Sequence, residues 1–453
     1  MTRAATAGAA IALAAALGGC GGEVGTLRVS LVTAPDSDLL ERIQRVRVVV
    51  SDPPTVVEAE RGADGQLAID LEIDAQDSAA RVSLEGFDGA GERIAVARSA
   101  PLPVSAVDAS IALYLAPPQS MAEAPVALDP PRSAMGGALL AYGAVLAGGR
   151  GADGAPRADL VIYNVYDHQL QVGVGLPEAR ASATVIRGVT DLVYVFGGLD
   201  GDGDESADGW AFNTSVAPAG AYTSLISDGN LARAGAASVL VTSETFLVTG
   251  TPAAQIDGLR AQVGEWPDAP PTADGAAARV GSDATAAILV AGAGVGETGA
   301  VTYDGSAWAD LDAPDEARRT GHAVITLPDG RGLVVGGAID GVPTRSAALF
   351  DPDDRALDPR ADFLATGRTE AAIAATAEVV LVVGGVDEAG AVVDDAELFD
   401  AASLEPIASL PLVVPRRGAI ALPLPNGQIL VAGGTDADGA PVGALELFTP
   451  ATP

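Results

Sequence analysis

Residues 427–448 read GQILVAGGTDADGAPVGALELF: an apolar run, a glycine pair, a polar loop and a second apolar run that ends in phenylalanine. The same pattern occurs at 332–350 (GLVVGGAIDGVPTRSAALF) and at 379–399 (VVLVVGGVDEAGAVVDDAELF). A pattern that returns at a regular spacing indicates a repeat architecture, in which each copy forms one supersecondary unit. The repeat therefore governs the prediction of the fold.

The glycine pairs set the period of this repeat. Two weaker copies, FLVTG (246–250) and ILVAGAG (288–294), complete a series whose full pairs are Gly148-Gly149, Gly197-Gly198, Gly336-Gly337, Gly384-Gly385 and Gly433-Gly434. The spacing of about 43 to 52 residues is typical of propeller blades. An arginine precedes each copy, namely Arg132, Arg180, Arg233, Arg279, Arg319, Arg368 and Arg416. Seven copies predict seven blades.

Each copy divides into four strands. A small-residue apolar strand such as GHAVITL (321–327) is followed by a β-branched strand ending in glycines, RGLVVGG (331–337). Continuous apolar runs predict strands that are buried on both faces, and the glycines permit a turn with positive φ. The third strand ends in an aromatic residue, as in AELFD (396–400), and the fourth is more polar and ends near proline, as an outer strand allows.

These features resemble the kelch-repeat β-propellers, the group that includes galactose oxidase. The matching features are the glycine pairs, the ELFD-type third strands, Trp266 and Trp308 in fourth strands, and openings such as RTGHAV (319–324), over roughly residues 122–453. The resemblance implies an all-β fold with a seven-bladed kelch-like propeller, without the copper site, because the predicted propeller has no cysteine. A solenoid of the same period is the alternative, but repeats made only of strands favour closure.

The predicted domain organisation has four parts. Residues 1–19 are a lipoprotein signal peptide, 20–118 a small immunoglobulin-like β-sandwich, 119–125 a linker and 126–453 the propeller. The sandwich is predicted from short apolar runs separated by turns such as DGAG (88–91), and the linker from the proline-rich stretch around it. VALDPPR (126–132) resembles the end of a blade, so the segment around Val126–Leu128 is expected to pair with 444–448 and complete the last sheet.

The first twenty residues predict the location of the protein. Arg3 precedes an apolar stretch, Ala4–Leu17, that is too short to span a bilayer, which is typical of a secretory signal peptide. The ending LGGC resembles the lipobox of bacterial lipoproteins and implies lipidation of Cys20, the only cysteine. We expect a lipid-anchored envelope protein; because Gly21 is not the aspartate associated with inner-membrane retention, the outer membrane is favoured. An ordinary signal peptide is the alternative.

Composition excludes several classes of function. The chain has 60 acidic and 26 basic residues, a net charge of −34, so nucleic acid is not an expected partner. All basic residues are arginine, which excludes lysine-dependent chemistry such as P-loops and Schiff bases. With two histidines, His168 and His322, a histidine-built zinc or copper site is not expected. No catalytic residues are predicted.

Two candidate sites follow from the repeat. The seven arginines are expected on one propeller rim, interleaved with acidic loops. In the leading interpretation each arginine is structural and holds its own neighbouring loops by ion pairs and by hydrogen bonds to backbone carbonyls. We expect the arginine to face a ligand where the loop between strands two and three has few carboxylates. These arginines are Arg233, whose loop has only the late Asp257, and Arg279, whose loop has only Glu297, followed by Arg319. The second candidate, DGDGDESAD (200–208), has the 1, 3, 5, 9 spacing of calcium loops, with Asp200, Asp202, Asp204 and Asp208 as ligands of Ca²⁺. A solvated hairpin tip is the alternative, because Glu205 stands where such loops have glycine.

The sequence therefore predicts a monomeric, lipid-anchored envelope binding or scaffold protein that recognises a protein or glycan ligand on one propeller rim. Two alternatives remain open. One is a carbohydrate-active lyase or hydrolase that uses rim carboxylates. The other is a purely structural surface protein without a small ligand.

Overall fold

The computed structural model is all-β. Beside one short helix, α1 (Leu39–Arg42), and two 3₁₀ turns (Gly229–Leu231 and Asp315–Ala317), its regular structure consists of strands. None of the described helices is long and apolar enough to cross a membrane. The residues that the structure describes are 13–16, 26–52, 54–62, 70–72, 79–103, 109–189, 192–242, 244–282 and 286–452.

The N-terminal part forms two four-stranded sheets. Its strands are β1 (Leu13–Ala16), β2 (Thr26–Val32), β3 (Arg45–Ser51), β4 (Pro54–Glu60), β5 (Asp70–Glu72), β6 (Ala79–Ala80), β7 (Val82–Phe87), β8 (Arg93–Arg98), β9 (Leu102–Pro103) and β10 (Ala109–Tyr114). One sheet has the order β10-β2-β1-β5 and the other β4-β3-β7-β8, while β6 pairs with β9. Alternate residues of β3, such as Val46 and Val48, enter one core shared by both sheets, as the period-two geometry of a strand dictates.

Residues from Ser120 to Thr449 form seven sheets, numbered 1 to 7 here. After β11 (Ser120–Ala127), sheet 1 contains β12 (Gly136–Leu140), β13 (Gly143–Ala147), β14 (Leu160–Asn164) and β15 (Gln169–Val172). Sheet 2 contains β16 (Thr184–Arg187), β17 (Leu192–Phe196), β18 (Asp208–Asn213) and β19 (Ala221–Ser227). Sheet 3 contains β20 (Ser238–Thr242), β21 (Thr245–Val248), β22 (Ala254–Asp257) and β23 (Gln262–Glu265).

The remaining sheets follow the same plan. Sheet 4 contains β25 (Ala276–Val280), β26 (Ala287–Ala291), β28 (Ala300–Tyr303) and β29 (Trp308–Asp310), beside the short pair β24 (Thr272–Ala273) and β27 (Gly294–Val295). Sheet 5 contains β30 (Thr320–Thr326), β31 (Gly332–Ile339), β32 (Val342–Pro343), β33 (Ala347–Asp351) and β34 (Ala356–Arg360). Sheet 6 contains β35 (Ala372–Ala375), β36 (Val379–Val383), β37 (Asp395–Asp400) and β38 (Pro406–Pro411). Sheet 7 contains β39 (Ile420–Pro423), β40 (Ile429–Ala432), β41 (Ala444–Thr449) and β11.

The seven sheets are arranged in a closed ring. The first strand of each sheet contacts the first strand of the next, and β39 of sheet 7 contacts β12 of sheet 1. The second strands are buried along their whole length, as in β13 and β36, because neighbouring sheets cover both of their faces. The fourth strands, such as β15, lie outside and are largely exposed. This arrangement is consistent with a β-propeller-like fold.

Strand β11 closes the ring by pairing with the last strand of the chain. It is antiparallel to β41, with Ser120 opposite Thr449 and Ala127 opposite Ala444. The predicted pairing with 444–448 is confirmed, although the paired segment begins earlier than Val126. The residues predicted as a linker, 119–125, therefore contribute to the seventh sheet, because an outer strand needs hydrogen bonds on one side only and tolerates Pro125.

The N-terminal part packs against one end of sheets 1 and 7. Arg81 donates to the carbonyl of Pro425 at 2.9 Å, and Arg98 donates to that of Asn426 at 3.0 Å. Both acceptors lie in the turn between the first and second strands of sheet 7. The hydroxyl of Tyr166, in the turn between β14 and β15, donates to the carbonyl of Pro101 at 2.5 Å. These turns lie at the end of the sheets opposite to the repeat arginines.

Candidate functional site

An arginine precedes the first strand in six of the seven described sheets. Arg132 illustrates its role: its Nη1 donates to the carbonyls of Gly148 and Asp159, both at 2.9 Å, where the second strand ends and the third begins. A planar guanidinium suits such multiple bonds to backbone oxygens. Five of the six expose no more than 1% of their surface, namely Arg132, Arg180, Arg319, Arg368 and Arg416. These five arginines fix the loops of their own sheets, as the structural interpretation predicts.

Sheets 6 and 7 add a buried carboxylate to this arrangement. The side chains of Arg416 and Glu446 form an ion pair in which both are fully buried. Arg368 makes the corresponding pair with Glu397 at 2.6 Å. Glu446 also accepts from the N–H groups of Val413 and Val414, at 2.9 and 3.1 Å. The carboxylate therefore holds both the arginine and the connection that leads from sheet 6 into sheet 7.

A residue with a left-handed backbone follows two positions after each arginine. These residues have φ between 49° and 68° and are Ala134, Ser182, Gly235, Asp274, Gly321, Glu370 and Gly418. In sheet 4 the residue two positions before Asp274 is Thr272 rather than an arginine. Thr272 is fully buried, and its hydroxyl donates to the carbonyl of Gly250 at 2.9 Å. Thr272 thus occupies the place of the repeat arginine in this sheet.

Backbone hydrogen bonds link these left-handed residues into two runs. In the first run Ser182 donates to Ala134 and Gly235 donates to Ser182, both at 2.8 Å. In the second, Glu370 donates to Gly321 at 3.1 Å and Gly418 donates to Glu370 at 2.9 Å. Within the described part of the chain, Asp274 has no such bond to Gly235 or Gly321, and Ala134 has none to Gly418. The edge of the ring that carries these seven residues is called the rim below.

A cavity opens in the rim beside Asp274. Its volume is about 590 Å³, and it extends from sheet 2 to sheet 5. Most of its wall is backbone and small side chains, because the neighbouring positions are alanine, glycine and threonine. Its larger polar residues are Glu205, Arg233, Asp274 and His322.

Arg233 is the one repeat arginine of the described sheets that is only half-buried. Its Nη1 donates to the carbonyl of Thr249 at 2.8 Å and its Nη2 to that of Pro252 at 2.6 Å. Burial lowers the pKa of Arg233, and nearby Glu205 opposes this effect. Its Nε–H and one Nη2–H have no partner among the described residues. Arg233 can therefore donate two hydrogen bonds to a ligand in the cavity.

The other polar groups of the cavity are two carboxylates, an imidazole and hydroxyls. Glu205 accepts from the N–H of Ala234 at 3.1 Å, and Asp274 is exposed. His322 donates from Nε2 to the carbonyl of Ala291 at 2.8 Å, and burial lowers its pKa to about 4, so the ring is neutral near pH 7. Thr251 and Thr320 add exposed hydroxyls. The cavity thus offers one cation, two carboxylates and several hydrogen-bonding groups.

The three arginines predicted to face a ligand have different environments. Arg233 lines the cavity. Arg319 is fully buried, and its Nη1 donates to the carbonyls of Gly336 and Ser346 at 2.9 and 2.8 Å, so it presents no surface to a ligand. Arg279 is exposed, but it lies in β25 opposite Ile288, near the end of the strand away from the rim.

The position of Arg279 corrects the assignment of the fourth repeat. The first hairpin of sheet 4 pairs Ala276 with Ala291, whereas that of sheet 1 pairs Gly136 with Ala147. The hairpin of sheet 4 is longer by four residues. The repeat distance between arginine and glycines, counted back from the glycines of sheet 4, therefore leads to Arg279, which lies within the first strand. The residue at the repeat position is Thr272.

The four aspartates predicted to bind calcium do not converge. Among the described residues no group of three or more acidic, histidine or cysteine side chains could hold a metal ion. Asp200 instead accepts from the N–H groups of Asp202 and Asp204 at 2.9 and 3.0 Å, and Asp208 begins strand β18. This geometry is that of an Asx-type hairpin tip.

The predicted lipidation site, Cys20, lies outside the described residues. So does most of the predicted signal peptide, apart from strand β1 (Leu13–Ala16), which pairs with β2 and β5. Lipidation remains a prediction.

Sequence reasoning missed three polar residues of the cavity, Glu205, Asp274 and His322, and the buried Thr272 close to Asp274. A usable signal existed for two of them. The left-handed position is glycine in three repeats, as in Gly235 and Gly321, and aligning on that position rather than on arginine would have placed Thr272 and Asp274 correctly. Glu205 and His322 are brought to the cavity by neighbouring sheets, which no local pattern reveals.

No protein-family model matches this sequence, and no curated protein matches it. Among solved structures, one titled "Structure of YjhT" is similar to this chain with 15% sequence identity and a TM-score of 0.46. The similarity covers 72% of this chain and 96% of that one. A likeness this distant says nothing about ligand or activity.

Proposed function

We propose that this protein is a lipid-anchored envelope binding protein whose seven-bladed, kelch-type propeller, preceded by an immunoglobulin-like sandwich, binds a glycan in the rim cavity beside Asp274. Seven antiparallel sheets whose first strands contact in a closed cycle support the blade number. The two N-terminal sheets over one core support the sandwich. The glycine pairs and buried arginines support the kelch type.

One observation carries the choice of site: the repeat is broken where the cavity opens. Thr272 replaces the arginine, and among the described residues no backbone hydrogen bond joins Asp274 to either neighbouring run of left-handed residues. Five repeat arginines are buried, whereas Arg233 keeps free donors in the cavity wall. A concavity with unpaired polar groups is the default candidate for a binding site. Here it coincides with the departure from the repeat.

The lining favours a glycan over a protein segment. Its volume of about 590 Å³ suits one or two sugar rings. Donors on Arg233, acceptors on Asp274 and hydroxyls on Thr251 and Thr320 match a ligand that is rich in hydroxyl groups. The described residues of the wall include no phenylalanine, tyrosine, tryptophan or large aliphatic side chain that would form a hot spot for a protein partner.

The proposed lipid anchor is consistent with a ligand that binds at the rim. The N-terminal part covers the end of sheets 1 and 7 that is opposite to the rim. A lipid attached near residue 20 would therefore hold the covered end towards the membrane and leave the rim facing outward. Cys20→Ser is expected to release the protein from the detergent phase in a partition assay without changing its fold, and equal retention of variant and wild type would contradict the anchor.

Binding at the rim is tested with a glycan array followed by calorimetry on the best glycan. Arg233→Met is expected to weaken binding at least about tenfold, because two charge-assisted donors are lost. Arg417→Met is the matched control, since Arg417 is partly exposed on the same rim but pairs with Glu370 at 3.5 Å in an uninterrupted run. Equal loss in both variants, or none in either, would contradict the site. Cleavage of the bound glycan would favour the enzymatic alternative.

A further inference from the structure

Two of the three tryptophans of the chain lie together on the outer side of the ring, between sheets 3 and 4. Trp266 follows β23, while Tyr303 and Trp308 end β28 and begin β29. The ring centroids of Trp266 and Tyr303 are 5.1 Å apart at an interplanar angle of 78°, and those of Tyr303 and Trp308 are 5.1 Å apart. Only 4% of the chain is aromatic, so this cluster is a marked local concentration.

The cluster lines a groove instead of being sealed inside the core. The groove has a volume of about 390 Å³. Trp266 is buried and supports the other two rings, which remain partly exposed. Aromatic side chains that served only for packing would be covered, as Phe350 and Phe399 are. The exposed ring surfaces are therefore available to a ligand.

Unpaired polar groups surround these rings. The amide of Gln255, the carboxylate of Asp268 and the hydroxyl of Tyr303 have no hydrogen bond to any described side chain or backbone group. All three residues line the groove. Apolar ring faces bordered by a few unpaired donors and acceptors are typical of a small-molecule site in which the polar groups fix orientation.

We propose that this groove, defined by Gln255, Trp266, Asp268, Tyr303 and Trp308, is a second binding site that holds one or two neutral sugar residues. The C–H face of a sugar ring packs on an aromatic face, and its equatorial hydroxyls bond to the amide and carboxylate at the edge. Asp268 and the net charge of −34 disfavour phosphate and other anionic ligands. The groove contains no residue of the rim cavity, so it is independent of the proposed rim function.

The test uses Arg233→Met protein, so that the rim does not contribute to binding. Three neutral hexasaccharides, of β-1,4-glucose, α-1,4-glucose and β-1,4-mannose, are titrated by calorimetry, and decaproline serves as a peptide probe. At least one hexasaccharide is expected to bind, and Trp308→Ala should weaken it at least about tenfold. Gln255→Ala should weaken it by a smaller factor, while Trp210→Phe, which lies in sheet 2, should leave it unchanged.

Thermal unfolding of each variant separates lost binding from lost structure. If Trp308→Ala does not fold, Tyr303→Phe, which removes only a hydroxyl, is expected to reduce affinity by a measurable factor with little change in melting temperature. Failure of all three hexasaccharides to bind at about 10 mM would overturn the proposal. Binding that is insensitive to Trp308→Ala, or capture of decaproline in place of sugar, would also overturn it.

Discussion

At the scale of single residues, the buried arginines show how a strongly acidic chain stabilises its repeats. Arg416 and Glu446 are both fully buried, and each also bonds to backbone groups of the connection between β38 and β39. An intact buried ion pair of this kind contributes little to folding stability, but removal of one partner leaves an uncompensated charge in the interior. The same position in sheet 1 has Arg132 without a carboxylate, so the two sheets form a natural comparison.

Arg416→Met is expected to lower the free energy of unfolding by about 3–5 kcal/mol, because Glu446 is left charged and buried. The double variant Arg416→Met, Glu446→Gln should recover part of this loss, because it leaves no buried charge. Recovery is not complete, since Val413 and Val414 donate to separate carboxylate oxygens and the one amide oxygen replaces only one of them. Arg132→Met should cost less than Arg416→Met. Chemical denaturation measures the free energy of unfolding of the three variants. If the double variant recovers no stability, the buried charge of Glu446 is not the cause of the loss in Arg416→Met.

The two histidines predict a specific dependence of stability on pH. Burial lowers the pKa of His168 to about 3 and that of His322 to about 4. Both values lie below the unfolded value of about 6.5, so the unfolded state takes up protons first as the pH falls. Above about pH 6.5 both histidines are neutral in the folded and the unfolded state, so they do not change the free energy of unfolding. This free energy decreases as the pH drops from about 6.5 towards 4.

Because the chain has no other histidine, the interval from pH 6.5 to 5 isolates this effect from that of most carboxylates. We expect a loss of about 1 kcal/mol per pH unit for each histidine. His322→Gln, whose amide can still donate to the carbonyl of Ala291, should reduce the slope by about half. Denaturant titrations at three pH values measure it, and an unchanged slope would contradict the assignment.

At the scale of elements, strand β11 is the one that makes the ring continuous. Ala124 is 1% exposed and belongs to a core with Leu445 and Leu447 of β41 and Tyr114 of β10. Ala127, in the same strand, is exposed. β11 therefore joins strand β10 of the N-terminal part to the last sheet, and its loss would leave the edge of β41 unpaired.

Ala124→Asp is expected to destabilise the protein by several kcal/mol, because it buries a carboxylate without a partner. Ala127→Asp, the control in the same strand, should stay within about 0.5 kcal/mol of the wild type. Hydrogen exchange distinguishes loss of the pairing between β11 and β41 from destabilisation of the whole protein. In Ala124→Asp the amides of Ala444–Thr449 should lose protection first. Protection of β41 that falls no earlier than that of β13 would contradict the role of β11 in closure.

The sequence predicted the repeated elements well and the exceptions poorly. Apolar runs ending in glycine pairs located the second strands, because burial between two sheets demands continuous apolar residues. The segment 119–125 was predicted as a linker because the proline-rich pattern around it hides a strand whose partner lies at the other end of the chain. Arg279 was misplaced because the length of a hairpin is set by its turn, not by the repeat. The cavity residues come from four sheets, and only the closed ring brings them together.

At the scale of the whole molecule, the N-terminal part is attached to the ring through close backbone approaches. Gly427, in the turn between β39 and β40, has φ +84°, and a Cβ there would lie 1.8 Å from Nη2 of Arg98. Arg98 bonds to the adjacent carbonyl of Asn426. Glycine is thus required at position 427 both for its backbone and for the contact between the two parts.

Gly427→Ala is expected to weaken docking of the N-terminal part. Gly439→Ala is the matched control, because Gly439 has a similar φ of +80° with open space around its Cβ position. The control should cost about 1 kcal/mol from backbone strain alone. Gly427→Ala should cost more and should make residues 79–103 accessible to a protease at temperatures where the ring is intact. Equal effects of the two changes would show that Arg98 adjusts freely.

The pairing of β11 with β41 also determines the order in which the protein can be completed during synthesis. Ser120 leaves the ribosome more than three hundred residues before Thr449, its partner across the sheet. Sheets 1 to 6 can each form from consecutive hairpins as they emerge, whereas sheet 7 cannot be finished until the last strand is made. The nascent chain must therefore keep β11 unpaired for most of its production, a period in which an exposed strand edge is open to wrong partners. The high negative charge of the chain discourages such encounters between growing copies.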